Sequence, residues 1–490
     1  MRLVTKRKLK FLLFILVLGL IISFTCNAVV ESQLNKEIGF YRGYFEQKKD
    51  GLQGIYNPLA IKQIPGKTID ALYARKLEKV SKKAETIDWS KLAYVNYATN
   101  INYLCNTFIM FQNLKKYGTK AKLHLMVSDQ MLSPDNEFSQ SANMLLQRIK
   151  NLDTEQVVIK HVKTLYKPND QSEWQDSLTK LIVFNQTEYD RVIYLDSDAD
   201  LKDSMDELFF IPSYIEFAAP LAYWFFDDKD LTSAYHDVKV TENNPINLAR
   251  YTEKLYIRVK KDQMIYNHLP NLPPPLFLNT ENVAQDIINS RPSILQMLGI
   301  PTGKSQSSKA KFASTVMVIN PSSKTYNEIV SWMLPQILRS RNKFDMDLIN
   351  DELYNIKRSI YYNFKLFRRL NTQYVPKILV LPFGRYGLLS GSIRNPNHYS
   401  MLKNDVLGYK KLDIEGRELP QTLEDCLRDS KYIHFSDSPM GKPWDYKSFE
   451  EISCRADAEQ SENIEQRKEA CALWNSLYSS YMANKHLCML

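Results

Sequence analysis

Cysteine is scarce in this 490-residue chain: there are six, with Cys26 in the first apolar run, Cys105 in the first half and Cys426, Cys454, Cys471 and Cys488 near the end. None of their spacings has a zinc-site pattern, which excludes a structural zinc of the finger type. Long stretches of one charge sign are missing too. The 64 Lys and Arg are interspersed with 55 Asp and Glu, and the formal +9 includes Arg2, Lys6, Arg7, Lys8 and Lys10 at the extreme N-terminus. The remainder is only mildly basic, which leaves no footprint for a nucleic acid. A second long apolar stretch is absent, so a polytopic membrane protein is excluded. No repeat or low-complexity block interrupts the body.

The one apolar run, Phe11 to Val30, follows a basic, acid-free start. Its length spans a bilayer as a helix, and the basic flank keeps residues 1–10 cytoplasmic. A cleaved signal peptide with Cys26-Asn27-Ala28 as its small residues is the rival, and the span favours an uncleaved anchor. Either way the bulk of the chain lies in the secretory pathway, where the last four cysteines are free to form disulfides that pin the C-terminal segment to the body. Asn185-Gln186-Thr187 is the single glycosylation sequon, expected on a helix.

Residues 31–88 are polar and charged, broken by Pro58 and Pro65, and read as a stem. A catalytic body over 89–447 follows. Within it Leu92–Tyr97 reads as a strand, Tyr103–Tyr117 as a helix with Leu104, Phe108, Phe111 and Leu114 on one face, and Lys122–Ser128 as a second strand. Repeated through Val157–Ile159 and Val192–Leu195, this order predicts an α/β fold with a mostly parallel sheet and helices on both faces. An insert, residues 227–311, is long enough to be functional and is expected to shape an acceptor region, a decorative surface subdomain being the bland alternative. Residues 448–490, with Ile464, Cys471, Trp474, Leu477 and Tyr481 at helical spacing, read as a packing helix.

The chemistry is concentrated where Val192-Ile-Tyr-Leu195 delivers a buried strand into Asp196-Ser-Asp198. Ligands bind outside the carboxyl ends of strands in open α/β sheets, and two acids there suit a hard divalent cation. Asp-x-Asp occurs four times, at Asp196/Asp198, Asp198/Asp200, Asp228/Asp230 and Asp345/Asp347. Only the first pair follows a strand-like run directly. A solvated acidic loop is the alternative.

Ser177–Leu181, Arg191–Asp198, Asp206–Phe209, Phe312–Pro321, Phe344–Asn350 and Tyr432–Trp444 together resemble the glycogenin-like glycosyltransferases of the GT-A fold. The likeness runs patchily over residues 90–445. The whole chain, with its anchor and Trp444, is similar to fungal Golgi enzymes of that family that cap mannose side chains of glycoprotein mannan with N-acetylglucosamine. The resemblance implies a Rossmann-like nucleotide-sugar-binding fold on a single N-terminal membrane anchor. It implies a type II Golgi protein that is retaining and uses Mn²⁺ or another divalent cation, with UDP-N-acetylglucosamine as donor and terminal mannose as acceptor in α-1,2 linkage.

Carried over by residue, it implies a metal site of Asp196, Asp198 and His434, and donor contacts from Thr99, Asn100, Tyr103, Lys180, Asp196 and Lys442. Asp347, with Lys180, is the acid expected to stabilise the transferred sugar. Bland readings stand beside each: Thr99 and Asn100 as caps of the following helix, Lys180 as a solvent-facing helix lysine, His434 as a satisfied strand histidine, Asp347 as an acid at a helix N-terminus. Two departures are visible. Ala313-Ser-Thr315 replaces the family's small polar and glycine residues, so the sugar pocket is expected to be shaped differently. His434 and Lys442 stand two residues further apart than in the family pattern, so the loop must bulge, with Gly441 supplying flexibility. A glucosyl- or galactosyltransferase, or a non-catalytic carbohydrate-binding protein of the same fold, remain as alternatives.

Overall fold

The computed structural model describes residues 6–47, 57–167, 170, 172, 174–241, 247–290, 308–365, 375–402, 405–455 and 464–488. Outside them lie residues 1–5 of the expected cytoplasmic tail, 48–56 of the expected stem, and 242–246 and 291–307 of the expected insert.

Strand β1 (Leu92–Ala98) runs into helix α3 (Ile101–Lys116), whose N-terminus is capped by the Asn100 side chain accepting from Tyr103 N at 3.1 Å. Helices α1 (Lys6–Gln47) and α2 (Gly66–Ser81) precede them. Leu104, Phe108, Phe111 and Leu114 are buried as the periodicity requires, and the chain leaves the helix through Gly118 in the left-handed region, φ 78°,. Helix α4 (Ser139–Asn151) links β2 (Lys122–Ser128) to β3 (Val157–Val162), and these strands and β4 (Arg191–Leu195) all pair parallel within the β3-β2-β1-β4 half. Beyond β4 come β7 (Val316–Ile319), antiparallel to both its neighbours, then β6 (Phe217–Pro220) and β8 (Ile378–Leu381). The sheet is thus the expected mostly parallel one, seven strands in the order β3-β2-β1-β4-β7-β6-β8.

Strand β4 is completely buried and works on both faces: Val192 and Tyr194 enter one hydrophobic core, Ile193 and Leu195 the other,. A small second sheet, β5 (Ala199–Leu201), β10 (Tyr432–His434) and β9 (Leu388–Leu389), stands at the carboxyl end of β4.

The expected stem differs from what the chain forms. From residue 57 it belongs to the body: Leu59, Ile61, Ile64 and Ile69 are buried, Ile64 N donates to Val380 O at 3.1 Å, and Val380 N donates to Lys62 O at 2.9 Å. The polar composition that suggested a spacer is the wet face of α2, where Arg75 and Lys79 meet Asp262. Further back, α1 is one continuous helix carrying the apolar run, and it contains the one described helix long and apolar enough to cross a membrane. Past that run Leu34, Ile38 and Tyr41 are buried in the body, so α1 joins the core directly.

The insert divides. Helices α5 (Asp228–Thr241) and α7 (Val283–Asn289) pack near α1, whereas α6 (Leu248–Lys260) packs on α2. Disulfides also differ from the expectation confined to the last four cysteines. Cys454 pairs with Cys471, but Cys488 reaches back to Cys105 in α3, 383 residues away, and neither disulfide takes in Cys426 or Cys26. Cys105 is drawn in because the C-terminal helix (Ile464–Lys485) lies across α3. That helix is a packing element, as read, with Trp474, Leu477, Tyr478 and Tyr481 buried. Asn185 ends a 3₁₀ helix, Ser177–Asn185, and is half-buried.

Trp474 is fully enclosed, and its indole N–H donates to the buried carboxylate of Asp437 at 2.8 Å. Trp474→Ala is expected to lower unfolding free energy by about 3–5 kcal/mol, through the cavity it leaves. Trp474→Phe keeps much of the packing but strips one donor from Asp437, for a loss of about 1–3 kcal/mol. Denaturant midpoints of the two variants check the ordering.

Candidate functional site

Backbone pairing brings the site residues together. Strand β4 ends at Leu195, and Asp196 N donates to Thr315 O at 2.8 Å, while the Tyr432 hydroxyl donates to Asp196 O at 3.0 Å. The turn Asp196-Ser-Asp198 is therefore fixed from both sides. Strand β5 then pairs antiparallel with β10, Ala199 opposite His434, which sets the imidazole beside Asp198 with Nδ1 3.3 Å from its Oδ1. Phe435 N closes the arrangement by donating to Asp198 O at 2.9 Å.

Lys180 is buried in the 3₁₀ helix that precedes β4, not solvent-facing. Its ammonium lies 3.1 Å from Asp196, 3.0 Å from Asp345 and 3.4 Å from Ser314 Oγ. Ser314 in turn donates to Asp345 at 2.7 Å, and the Tyr194 hydroxyl donates to Asp196. Across the turn, Lys442 Nζ donates to Asp198 at 2.8 Å and to Phe435 O at 2.7 Å. Each acid thus has its own lysine.

Electrostatics separate the two acids. Burial pushes the Asp196 carboxyl up to about 6, with Lys180 opposing and the charge of Asp198 adding,. Burial acts on Asp198 in the same sense, but the neighbouring imidazole and the Lys442 ammonium outweigh it and hold Asp198 down at about 2. For Lys180, burial alone would favour the neutral amine; the carboxylates of Asp196 and Asp345 reverse that and keep it a cation. His434 is pushed by burial down to about 4, so near neutral pH its contact with Asp198 is not an ion pair.

Asp196, Asp198 and His434 present ligand atoms all within 4.8 Å of one another. His434 Nδ1 is buried and makes no hydrogen bond. Two carboxylates and a neutral imidazole with an unused lone pair fit a divalent cation of the Mn²⁺ type.

Other expected residues fall as follows. Asn100 is exposed, and its side-chain oxygen caps α3. The Thr99 hydroxyl hydrogen-bonds the Asp176 carboxylate. Tyr103 meets Trp444 edge to face, ring centres 5.4 Å apart, which brings the β1 end to the Lys442 loop. Gly441 has an ordinary backbone. A Cβ there would lie 2.9 Å from the Asp445 carboxylate, which caps Lys442 N at 2.8 Å. Within the loop Asp437 is buried, and its carboxylate takes hydrogen bonds from Ser390, Tyr478 and Trp474.

Asp347 does not join the Lys180 cluster; Asp345 does. Two residues on a helix are about 200° apart around its axis, so only one of the pair can face Lys180. Asp347 instead accepts from Phe344 N at 3.1 Å and pairs with Lys311 at 3.2 Å. The Asp345-x-Asp347 pattern was visible in sequence, but spacing could not say which acid turns inward. Tyr194 and Tyr432 read as strand aromatics, with nothing in the sequence to mark where their hydroxyls end.

No family model matches the chain. Glucose N-acetyltransferase 1 of Saccharomyces cerevisiae is 52% identical over the whole of both chains. The protein of that name from Candida glabrata is 48% identical over 100% of this chain and 97% of its own, and glucose N-acetyltransferase 1-B of Kluyveromyces lactis is 40% identical over 99% of each. Among solved structures, the apo form of the bifunctional glycosyltransferase WbbM aligns with 81% of this chain and 52% of its own, at 13% identity and a TM-score of 0.34. The galactosyltransferase LgtC with donor and acceptor sugar analogues aligns with 79% of this chain and 96% of its own, at 12% identity and a TM-score of 0.33.

Cation binding at this cluster requires ionised Asp196, ionised Asp198 and neutral His434. With Asp196 titrating near 6 and the other two lower, affinity is full above that pH and falls below it,. Mn²⁺ affinity, measured calorimetrically, is expected to be about tenfold weaker at pH 5 than at pH 7.5. Asp196→Asn should weaken it at both pH values and remove that dependence.

Proposed function

The chain belongs to the fungal glucose N-acetyltransferase 1 family, and from that premise we propose that it is a GT-A N-acetylglucosaminyltransferase acting in the Golgi lumen on a type II membrane anchor. The donor is UDP-N-acetylglucosamine, the acceptor a terminal mannose of a glycoprotein mannan side chain, and the product linkage α-1,2 with retained configuration. The observation that carries the reading is the buried cluster at the end of β4, in which Lys180 and Lys442 flank the acids Asp196 and Asp198, with His434 beside the latter. A nucleotide-sugar donor suits a cation-rich site at the carboxyl ends of strands, because the leaving group is a diphosphate.

Each residue has a definable task. Asp196, Asp198 and His434 would hold a divalent cation such as Mn²⁺, which would supply charge neutralisation for the diphosphate. Lys442, one of whose contacts is the backbone carbonyl of Phe435, adds positive charge where the UDP leaves. Thr99, Asn100 and Tyr103, at the end of β1, take the uridine side of the donor. Lys180 orients Asp196 and Asp345 at once. Asp345, held by Lys180 and Ser314, takes the role first expected of Asp347 and stabilises positive charge on the transferred sugar. The bond from the anomeric carbon to the diphosphate breaks, and a bond to the acceptor hydroxyl oxygen forms on the same face. The acceptor proton passes to the departing phosphate oxygen.

Release of UDP by the purified full-length chain is the direct test, with Mn²⁺, α-linked mannose oligosaccharides, and UDP-N-acetylglucosamine, UDP-glucose or UDP-galactose. Acceptor-dependent release is expected with the first donor, falling by at least about a hundredfold in Asp198→Ala. Asp345→Asn should lower kcat with little change in donor KM. Release with UDP-glucose or UDP-galactose alone would overturn the donor assignment, and the absence of transfer with all three would overturn the enzyme reading.

A further inference from the structure

Beside Asp345 runs a strip of side chains that neither the donor chemistry nor the core employs. Trp174 is 56% exposed and lies against Phe344, ring centres 5.8 Å apart. Phe344 is the residue before Asp345, and its N–H donates to Asp347, which pairs with Lys311. The Lys311 ammonium lies 5.9 Å from the ring of Phe225, which is 41% exposed. The indole packs on the Phe344 ring, the Phe344 backbone N–H meets the carboxylate, the carboxylate meets the ammonium, and the ammonium faces the Phe225 ring.

Its backbone is fixed from beneath. Lys167 is buried; its ammonium donates to Arg341 O at 2.6 Å and Lys343 O at 3.0 Å, and its N–H donates to Gln175 O at 2.9 Å, linking the backbone beside Trp174 to the backbone beside Phe344. At the other end Ala222 N donates to Lys311 O at 2.7 Å, joining the turn that bears Phe225 to the strand leading to Ser314. Both halves of the strip thus attach to residues next to the Lys180–Asp345–Ser314 contacts.

Two large aromatic rings exposed on a fixed framework, with a carboxylate and an ammonium between them, match the surface of a hexopyranose, which has an apolar C–H face and a rim of hydroxyls. We infer that this strip is a glycan subsite that holds the acceptor's sugars behind the reacting residue, with Trp174 and Phe225 as stacking platforms and Asp347 and Lys311 hydrogen-bonding hydroxyls. It rests on the transferase reading for calling the glycan an acceptor; the binding itself is separable. Of the expected insert, residues 227–311, only Lys311 at its end belongs to the strip; Phe225 lies just before it, and α6 packs on α2.

The test is equilibrium binding of mannose and of α-linked mannotriose to the detergent-purified full chain, followed by titration calorimetry. It uses the parent chain, Trp174→Ala, Phe225→Ala and the conservative Trp174→Phe, with UDP binding and thermal unfolding recorded in parallel. Mannotriose is expected to bind the parent chain about tenfold more tightly than mannose. Each alanine variant should lose that advantage while UDP affinity stays unchanged, and Trp174→Phe should keep most of it. Unchanged trisaccharide affinity in both alanine variants, no preference for the trisaccharide in the parent chain, or parallel loss of UDP binding would each overturn the inference. Parent-chain binding lost in the variants, in a protein that transfers no sugar, would keep the subsite and remove the transferase. Efficient transfer with unaltered variants would do the reverse.

Discussion

The buried charge at the end of β4 is the constraint that organises this protein. Two carboxylates taken out of water two residues apart in one turn repel each other, and each is tolerable only with an opposing charge within hydrogen-bonding distance. Lys180 answers Asp196 and Lys442 answers Asp198, and the two lysines come from segments more than two hundred residues apart in sequence. The 3₁₀ helix before β4 has to be buried, because its lysine must reach inward. The loop after β10 has to return over the sheet, because its lysine must reach back. Much of the architecture follows from delivering these two ammonium groups.

The return of that loop is secured by the C-terminal helix. Asp437 fills its interior and takes hydrogen bonds from Trp474 and Tyr478, while Tyr481 packs on Phe435 and bonds Asn106 of α3. The helix therefore touches both the loop that bears Lys442 and the helix that starts at the end of β1. Lys485 Nζ, donating to Trp444 O at 3.0 Å, repeats the connection at the far side of the loop. A segment that reads as mere packing holds two walls of the site in register.

What the sequence disclosed, and what it concealed, divide along a physical line. Elements set by local pattern were legible: β1, α3, β2 and β4 stand where alternation and helical periodicity put them, and Asp196, Asp198, His434 and Lys442 gather as their motifs suggested. Contacts between distant segments were not. Cys488 bonds Cys105 because a helix happens to cross α3, and no spacing encodes that. Residues 57–81 looked like a spacer because an amphipathic helix on the outside of a domain has a spacer's composition. Asp345 and Asp347 are chemically identical and two residues apart, so only the orientation of one helical turn decides between them.

The order of synthesis gives the C-terminal helix one more consequence. Every residue that it clamps is made before it, so a nascent chain can carry Asp196, Asp198, His434 and Lys442 and still lack what holds Asp437 in place. The loop around Asp437 would then take its final form only once the helix has settled across α3. A nascent chain lacking that helix would carry these side chains without the contacts that hold their loop over the sheet.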